Sequence, residues 1–484
     1  MDDSASVMAP FFANQSCDPF TSQSKPCTLG NYVVYAVEAE SAVDIVATVN
    51  FAKKNNIRFV IRNTGHDYLG RSTGAGALSV WTHKLNGIVF KEWSGKDYNG
   101  SAVKLGAGVQ GFEAMSAALE KKQVVLGGEC PTVGIAGGYT QGGGHSALST
   151  SFGLSADNTL EFEVVTAAGD IVTASQSQNT DLYWALSGGG GGNYGVVVSM
   201  TVKTFPDAHV GGATLSFYAN ENPTETFYDA IDAFHAALPT MTEAGAMTVY
   251  YFTSDFFMIT PLTAYNKTAG EVDAIMAPFL TTLTSMGIKY ISATSQSATY
   301  YEHYDKHFGP LPVGNIQVGI AQYGGWLVPL SAFQTNATAM SAVTRYIVYK
   351  NVTWIGVGTD VSPFGTQNQN AVLPAWRAGP LVHATLTTPW SDDPAAWDRM
   401  LANQRLMTDD ILPALEKVTP GSGAYMNEAD FRQPRFQEVF FGENYGRLER
   451  VKRVYDPEGL FYATKAVGSE RWEVRENGRM CSVA

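Results

Sequence analysis

Gly127-Gly128-Glu129-Cys130-Pro131-Thr132-Val133-Gly134, followed by Gly137-Gly138 and Gly142-Gly143-Gly144-His145, is the stretch on which the fold turns. Glycine has no Cβ, so a run this dense lets backbone lie close against something else. The 48 glycines are about 10% of the 484 residues, against ~7% in an average protein. They cluster between Gly127 and Gly195, so the excess belongs to one region.

A second marked turn lies upstream, Arg62-Asn63-Thr64-Gly65-His66-Asp67-Tyr68, at the end of the apolar strand Phe59-Val60-Ile61. A lone His in a turn is ordinarily a hydrogen-bonding loop residue, and a lone Cys a small hydrophobe. Set in their glycine frames, His66 and Cys130 no longer look independent.

Working outward, Ser41 opens a helix with Asp44 at the capping-box position and Ala42, Ile45, Val49 and Ala52 at helical spacing. Phe162 to Thr166 and Val196 to Val202 read as strands. Pro206 closes this glycine-rich part. Beyond it, helices marked by Phe227, Ile231 and Phe234, by Val272, Ile275, Met276, Phe279 and Leu283, and by Trp397, Leu401, Ile411 and Leu415 alternate with strands at Thr248–Phe252 and Tyr346–Tyr349. This is α+β texture with a sizeable sheet. The aromatics Tyr250, Tyr251, Phe252, Tyr300, Tyr301, Tyr304 and Trp376 divide between core and pocket in a way that spacing does not sort.

Two motifs mislead. Gly106-Ala107-Gly108-Val109-Gln110-Gly111 matches G-x-G-x-x-G, with Glu129 about 20 residues on, where a ribose-binding acid would sit. It is not in the first βα unit and no second mononucleotide half follows, so it reads as a tight strand-to-helix turn. Gly188 to Gly192 lacks the Gly-Lys-[Ser/Thr] of a P-loop. His303 and His307 are four apart without a third ligand of the right kind, so no metal is expected.

The net charge is −13 and no Lys/Arg-rich stretch appears, which argues against nucleic acid. No apolar run is long enough to span a membrane. Five N-x-[ST] triplets, at Asn14, Asn99, Asn266, Asn336 and Asn351, and a disulfide expected between Cys17 and Cys27, point to a secreted glycoprotein, and a monomer is expected. Met-Asp-Asp-Ser is no signal peptide, so the leader is expected to be missing from this chain.

The frames resemble the berberine-bridge-enzyme-like branch of the vanillyl-alcohol-oxidase flavoprotein family. The resemblance rests on Arg62–Tyr68, Cys130–Ser146, Phe152–Asn158, Tyr425–Asp430, Asn444–Leu448 and Val451–Pro457. It covers roughly 30–206 and 420–472. Ser16–Phe20 and the long middle look like the fungal members, including isoamyl alcohol oxidases. It implies a two-lobed α+β fold: an FAD-binding domain over 1–206, a substrate domain over 207–415 built on an antiparallel sheet covered by helices, and a C-terminal segment, 416–484, returning to the first.

It also implies a bicovalent FAD, with His66 on the 8α-methyl carbon and Cys130 on carbon 6 of the isoalloxazine. The Arg62, Asn63, Thr64, Gly65, Asp67, Tyr68 turn would form an anion nest for the pyrophosphate. Asp67 would orient His66 or contact the ribityl chain. Gly128, Val133, Gly134, Gly137, Gly138, Gly142 and Gly143 would lie along the cofactor, His145 and Asn427 near the flavin, and Gly195 and Val196 at the adenine end. The expected reaction is oxidation of a hydroxyl-bearing small molecule by hydride transfer to flavin N5, with O2 reduced to hydrogen peroxide. A base is needed for the substrate proton. Glu428 and Tyr425 are the candidates, Glu428 the better if burial raises its pKa. Read as a strand, 425–430 puts Tyr425 and Asn427 on one face and Glu428 and Asp430 on the other. The rivals are a dehydrogenase with another acceptor, an oxidative cyclase and a binding protein with a vestigial site.

Overall fold

The computed structural model describes residues 17, 22–316, 321–365, 369–391, 393–475 and 478–483. Cys17 and Cys27 are disulfide-bonded, their Cα atoms 4.9 Å apart. The helix Ala42–Lys54 begins as its sequence requires. Ser41 Oγ accepts from the Asp44 N–H, and Asp44 accepts from the Glu40 N–H. Its buried face is Ile45, Thr48, Val49 and Ala52. It connects the outer strands of a small parallel sheet, Tyr35–Glu38, Leu78–Trp81 and Phe59–Arg62, with Leu78–Trp81 in the middle.

Next comes a five-stranded antiparallel sheet, ordered Ile88–Ser94, Asn99–Gly106, Val196–Lys203, Thr159–Val165, Ile171–Ser175. A larger antiparallel sheet of seven strands follows, ordered Tyr290–Ser297, Val210–Tyr218, Phe256–Tyr265, Ala246–Phe252, Thr353–Thr359, Leu381–Pro389, Ala321–Pro329. The helix Thr224–Glu243 packs Phe227, Ile231, Phe234 and Leu238 onto it, and Ala269–Ser285 adds Val272, Met276, Phe279 and Leu283. Period-two geometry sorts the sheet's aromatics. Tyr250, Phe252 and Trp354 point to the helices and pack with Phe234 and His235, while Val249, Tyr251, Ile355 and Val357 point to the opposite face and line a cavity.

Two expected strands are corrected. Tyr346-Ile347-Val348-Tyr349 ends the helix Ala337–Tyr349. Its residues are strand formers, but burial at Met340, Val343, Thr344, Ile347 and Val348 follows the helical period and outweighs propensity. Tyr425–Asp430 is a 3-10 turn, Met426–Glu428, closed by Glu428 N–H donating to the Tyr425 carbonyl at 3.1 Å. Residues i and i+3 eclipse in such a turn, so Tyr425 and Glu428 share a side. Asp430 instead turns away to Thr408, Gln404 and the Arg432 N–H.

Asn99, Asn266, Asn336 and Asn351 are all exposed, and Asn14 lies outside the described residues. No helix among the described residues is long and apolar enough to cross a membrane.

Candidate active site

The glycine motif at 106–111 positions one wall of the site. Beta carbons on Gly106 and Gly108 would fall 2.1 and 2.0 Å from the carbonyl oxygens of Leu85 and His83, so this is a backbone crossing that only glycine permits. The helix N-terminus after it holds protein, not phosphate. Gly111 and Phe112 donate their N–H groups to the carbonyls of Val133 and Pro131, and the Gln110 amide donates to the Thr132 carbonyl. Three consecutive carbonyls beyond Cys130 are thereby fixed.

The other wall follows the strand Phe59–Arg62. Gly65 takes φ +101°, and the chain turns so that His66 meets the Cys130 loop. His66 Nε2 lies 2.8 Å from Thr132 Oγ1, and Cys130 Sγ lies 3.8 Å from the same oxygen. Residues 64 positions apart in sequence thus reach one hydroxyl.

Both face a cavity of about 760 Å3, in the range of small-molecule and cofactor sites. Its inner end holds an ionisable cluster. Glu428 Oε1 accepts from His145 Nε2 at 2.9 Å, and Oε2 accepts from His383 Nε2 at 2.9 Å and from Thr385 Oγ1 at 3.1 Å. Burial opposes the Glu428 charge, but His145 and His383 outweigh it and hold the carboxyl well below its usual range. This corrects the expectation of a raised pKa: the group is buried, but it is paired. Burial alone would lower His145, yet Glu428 and Glu129 hold it up at about 9. Burial keeps His383 low, with Glu428 pulling the other way.

Tyr425 accepts at its hydroxyl from the Gly144 N–H and the Asn427 amide. Burial, then the Glu428 charge, raise its pKa, so the phenol is held in its protonated form. Tyr68 and Tyr323 stack with centroids 4.0 Å apart.

Asn63, Thr64, Gly65, Asp67, Tyr68, Gly128, Val133, Gly134, Gly137, Gly138, His145, Gly195 and Asn427 line the cavity with His66 and Cys130. Arg62, Gly142, Gly143 and Val196 do not. Arg62 donates to the Thr64 carbonyl. Gly142 is covered by Asn427 and Gly143 by Tyr425. Val196 is core, paired with Val165, and the alternation of its strand presents Val197 to the cavity instead. The Asp67 carboxylate accepts from the Leu69, Arg71 and Ser72 N–H groups, so it holds its own loop. His303 and His307 face each other, ring centroids 4.6 Å apart, with His303 bonded to Thr263. Among the described residues the group of three metal-type ligands that converges is His145, His383 and Glu428, and those atoms are already engaged with one another.

Sequence reading missed Glu129, His383, Thr385 and Tyr323. The alternation of His383, Thr385 and Thr387 along one strand was the available signal.

The pattern described as FAD binding domain matches residues 33–175, and that described as berberine and berberine like matches 424–468. The FAD-linked oxidoreductase ZEB1 of Gibberella zeae is 56% identical over 99% of this chain and 84% of its own length. The chain belongs to the VAO-type, berberine-bridge-like FAD-linked oxidoreductases. The crystal structure of the VAO-type flavoprotein MtVAO615 from Myceliophthora thermophila C1 superposes with a TM-score of 0.94 at 41% identity, over 99% of this chain and 87% of that one. The glucooligosaccharide oxidase of Acremonium strictum, described with a 6-S-cysteinyl, 8α-N1-histidyl FAD, shares the fold at 18% identity and a TM-score of 0.71, over 91% of this chain and 92% of that one.

The cavity of this FAD-linked oxidoreductase fits the cofactor in two respects. Among the described residues, the backbone N–H groups of Thr64, Gly65, Asp67 and Tyr68 donate to no protein acceptor. Clustered free donors in a turn suit a pyrophosphate. Further along, a Cβ on Gly138 would meet nothing within 4 Å, so the cavity there comes up to bare backbone. Gly138→Leu is therefore expected to fold with little change in melting temperature while filling cofactor space. Overpacking of this kind costs about 1–3 kcal/mol, or roughly 10–100-fold in cofactor affinity before any tether forms. The ratio of flavin to protein absorbance after purification measures it.

Proposed function

We propose that this enzyme tethers FAD through both His66 and Cys130 and oxidises a hydroxyl-bearing small molecule, an alcohol, saccharide or aromatic metabolite, with O2 as acceptor. The observation that carries the reading is the convergence of the His66 imidazole and the Cys130 thiol on Thr132 Oγ1 at the cavity wall. When bound, FAD supplies the acceptor for the two electrons of a C–H bond beside the hydroxyl, and O2 then takes them to give hydrogen peroxide.

The protein's own share is binding and proton handling. The 64–68 turn holds the anionic end through backbone N–H groups. Thr132 orients the imidazole by its hydrogen bond. Tyr251, Ile355 and Val357 give the far wall of the cavity a mostly apolar surface for the substrate carbon skeleton. Glu428, His145 and His383 form a charged floor beneath it.

The enzyme is further proposed to be secreted and glycosylated. The exposure of four sequon asparagines and the Cys17–Cys27 disulfide support this, since disulfides persist in oxidising compartments.

The test is direct. Acid-precipitated protein should be yellow, and proteolysis should yield one flavin joined to two peptides, one carrying His66 and one carrying Cys130. A panel of alcohols, sugars and polyphenols should include members that release peroxide. A colourless pellet with all the flavin in the supernatant would sink the tethering.

A further inference from the structure

Glu428, the carboxylate singled out from sequence, is engaged at both oxygens. Oε1 accepts from His145 and Oε2 from His383 and Thr385, and the two imidazoles hold its pKa well below the usual carboxylate range, which makes it a weak base. Asp67, the acidic residue of the Arg62–Tyr68 turn, accepts from three backbone N–H groups. Glu129 differs from both. It lines the same cavity, its side chain is only 13% exposed, and its Oε1 is buried without a hydrogen-bond partner among the described residues. A buried carboxylate oxygen with no hydrogen bond is costly to keep and points to a use.

Its position is also set. Glu129 precedes Cys130, so a thiol bonded to the cofactor would hold the Glu129 backbone one residue from the ring. Glu129 Oε1 lies 3.6 Å from His145 Nδ1, and the opposite nitrogen of that imidazole donates to Glu428. Carboxylate, imidazole and carboxylate therefore form a line, with His383 closing its far end.

We propose that Glu129 is the catalytic base of this enzyme, with His145 and Glu428 as the positioning pair behind it. The assignment rests on the oxidase reading above. The substrate O–H bond breaks and its proton passes to the Glu129 carboxylate. The adjacent C–H bond breaks with its electron pair, which leaves as hydride to the flavin, and the C–O bond becomes a carbonyl. Oxidation of the carbon is balanced by two-electron reduction of the flavin.

The electrostatics agree. Burial raises the Glu129 carboxyl, His145 pulls it back, Glu428 pushes it up again, and it settles at about 7. The other titratable groups around it are Cys130 beside it in the chain, Tyr139 from the glycine-rich turn, and Tyr300 and Tyr304 from the helix Tyr300–Phe308. Burial raises all three phenols, so they stay neutral where Glu129 titrates. The base works as carboxylate, so the rate of flavin bleaching should rise with pH through about 7.

The experiment uses the holoenzyme and the panel member that bleaches wild-type flavin fastest under anaerobic conditions. Glu129→Gln should retain covalent flavin, slow bleaching by about 10²–10⁴-fold, the usual share of general base catalysis, and lose the rise near neutrality. Glu129→Asp, which keeps a carboxylate, should recover part of the rate together with that rise. In protein carrying labelled histidine, the His145 resonance should titrate near 9 in wild type and lower in Glu129→Gln, since one flanking charge is gone. If wild type bleaches and Glu129→Gln matches it in rate and pH profile, the base assignment fails while the oxidase reading stands. If no panel member bleaches wild type, the oxidase reading fails and takes the assignment with it.

Discussion

The double variant His66→Ala/Cys130→Ala is expected to purify with flavin that leaves in acid, and with turnover lower by two orders of magnitude or more. The two side chains approach the cavity from different elements, one from the turn after Phe59–Arg62 and one from the loop held by Gln110–Phe112. Each single variant should keep flavin through the remaining bond. With both gone, the cofactor is held only by backbone donors and shape, and its occupancy becomes a matter of mass action. Adding FAD should then raise the melting temperature of the double variant but not of wild type. The fall in rate comes from position, because a 1 Å misplacement of a reacting group costs on the order of 10²-fold. Acid-soluble flavin, measured across the four proteins beside turnover, checks each part. A double variant that still precipitates yellow would mean that a third residue carries the bond.

Local signals were legible where the physics is local. The Ser41 cap, the apolar stripe of Ala42–Lys54 and the strand Phe59–Arg62 follow from neighbours in the chain. The glycine turn at 106–111 was separable from a dinucleotide site because its context was wrong, and the structure gives the reason: its donors serve the carbonyls of 131–133. The convergence of His66 and Cys130 was legible only through resemblance, since no periodicity joins residues so far apart.

What stayed hidden depends on which face meets which. Glu129 sits inside the glycine-rich motif, yet only the placement of His145 and Glu428 makes it a buried acid in a charged cluster. Tyr250 and Tyr251 are consecutive and equally aromatic; one is core and the other lines the cavity, because the helix Thr224–Glu243 covers one side of the sheet alone. The reading of 425–430 as a strand failed because Asn427 bonds back to Tyr425 and to the Tyr139 carbonyl, which favours a tight turn.

Lys452→Met is expected to destabilise the enzyme by about 3–5 kcal/mol, the usual cost of removing one partner from a buried ion pair. The Lys452 ammonium is 8% exposed and has three donors, all engaged: the Asn193 carbonyl at 2.6 Å, the Phe461 carbonyl at 2.6 Å and Asp456 Oδ2 at 2.5 Å. Asp456 also accepts from the N–H groups of Leu460 and Phe461. Phe461 in turn bridges to Phe59 at the start of the strand that delivers His66, and the next residues, Tyr462 and Ala463, line the cavity. One ammonium therefore ties the C-terminal helix Tyr445–Tyr455 to the glycine loop and to the base of the His66 turn. Burial lowers the Lys452 pKa, with Asp456 opposing, which is the signature of a charge kept in place by its partners. Asp456→Asn should cost less than Lys452→Met, because the amide oxygen still accepts from one of the two N–H groups and the ammonium keeps its two carbonyl acceptors. The double variant should cost less than the two singles added, since each single leaves a partner stranded and the double does not. Thermal and denaturant unfolding, followed by both flavin fluorescence and circular dichroism, would measure the cycle. If the two costs simply add, the three groups are not one network, and Phe461 is held to Phe59 by packing alone.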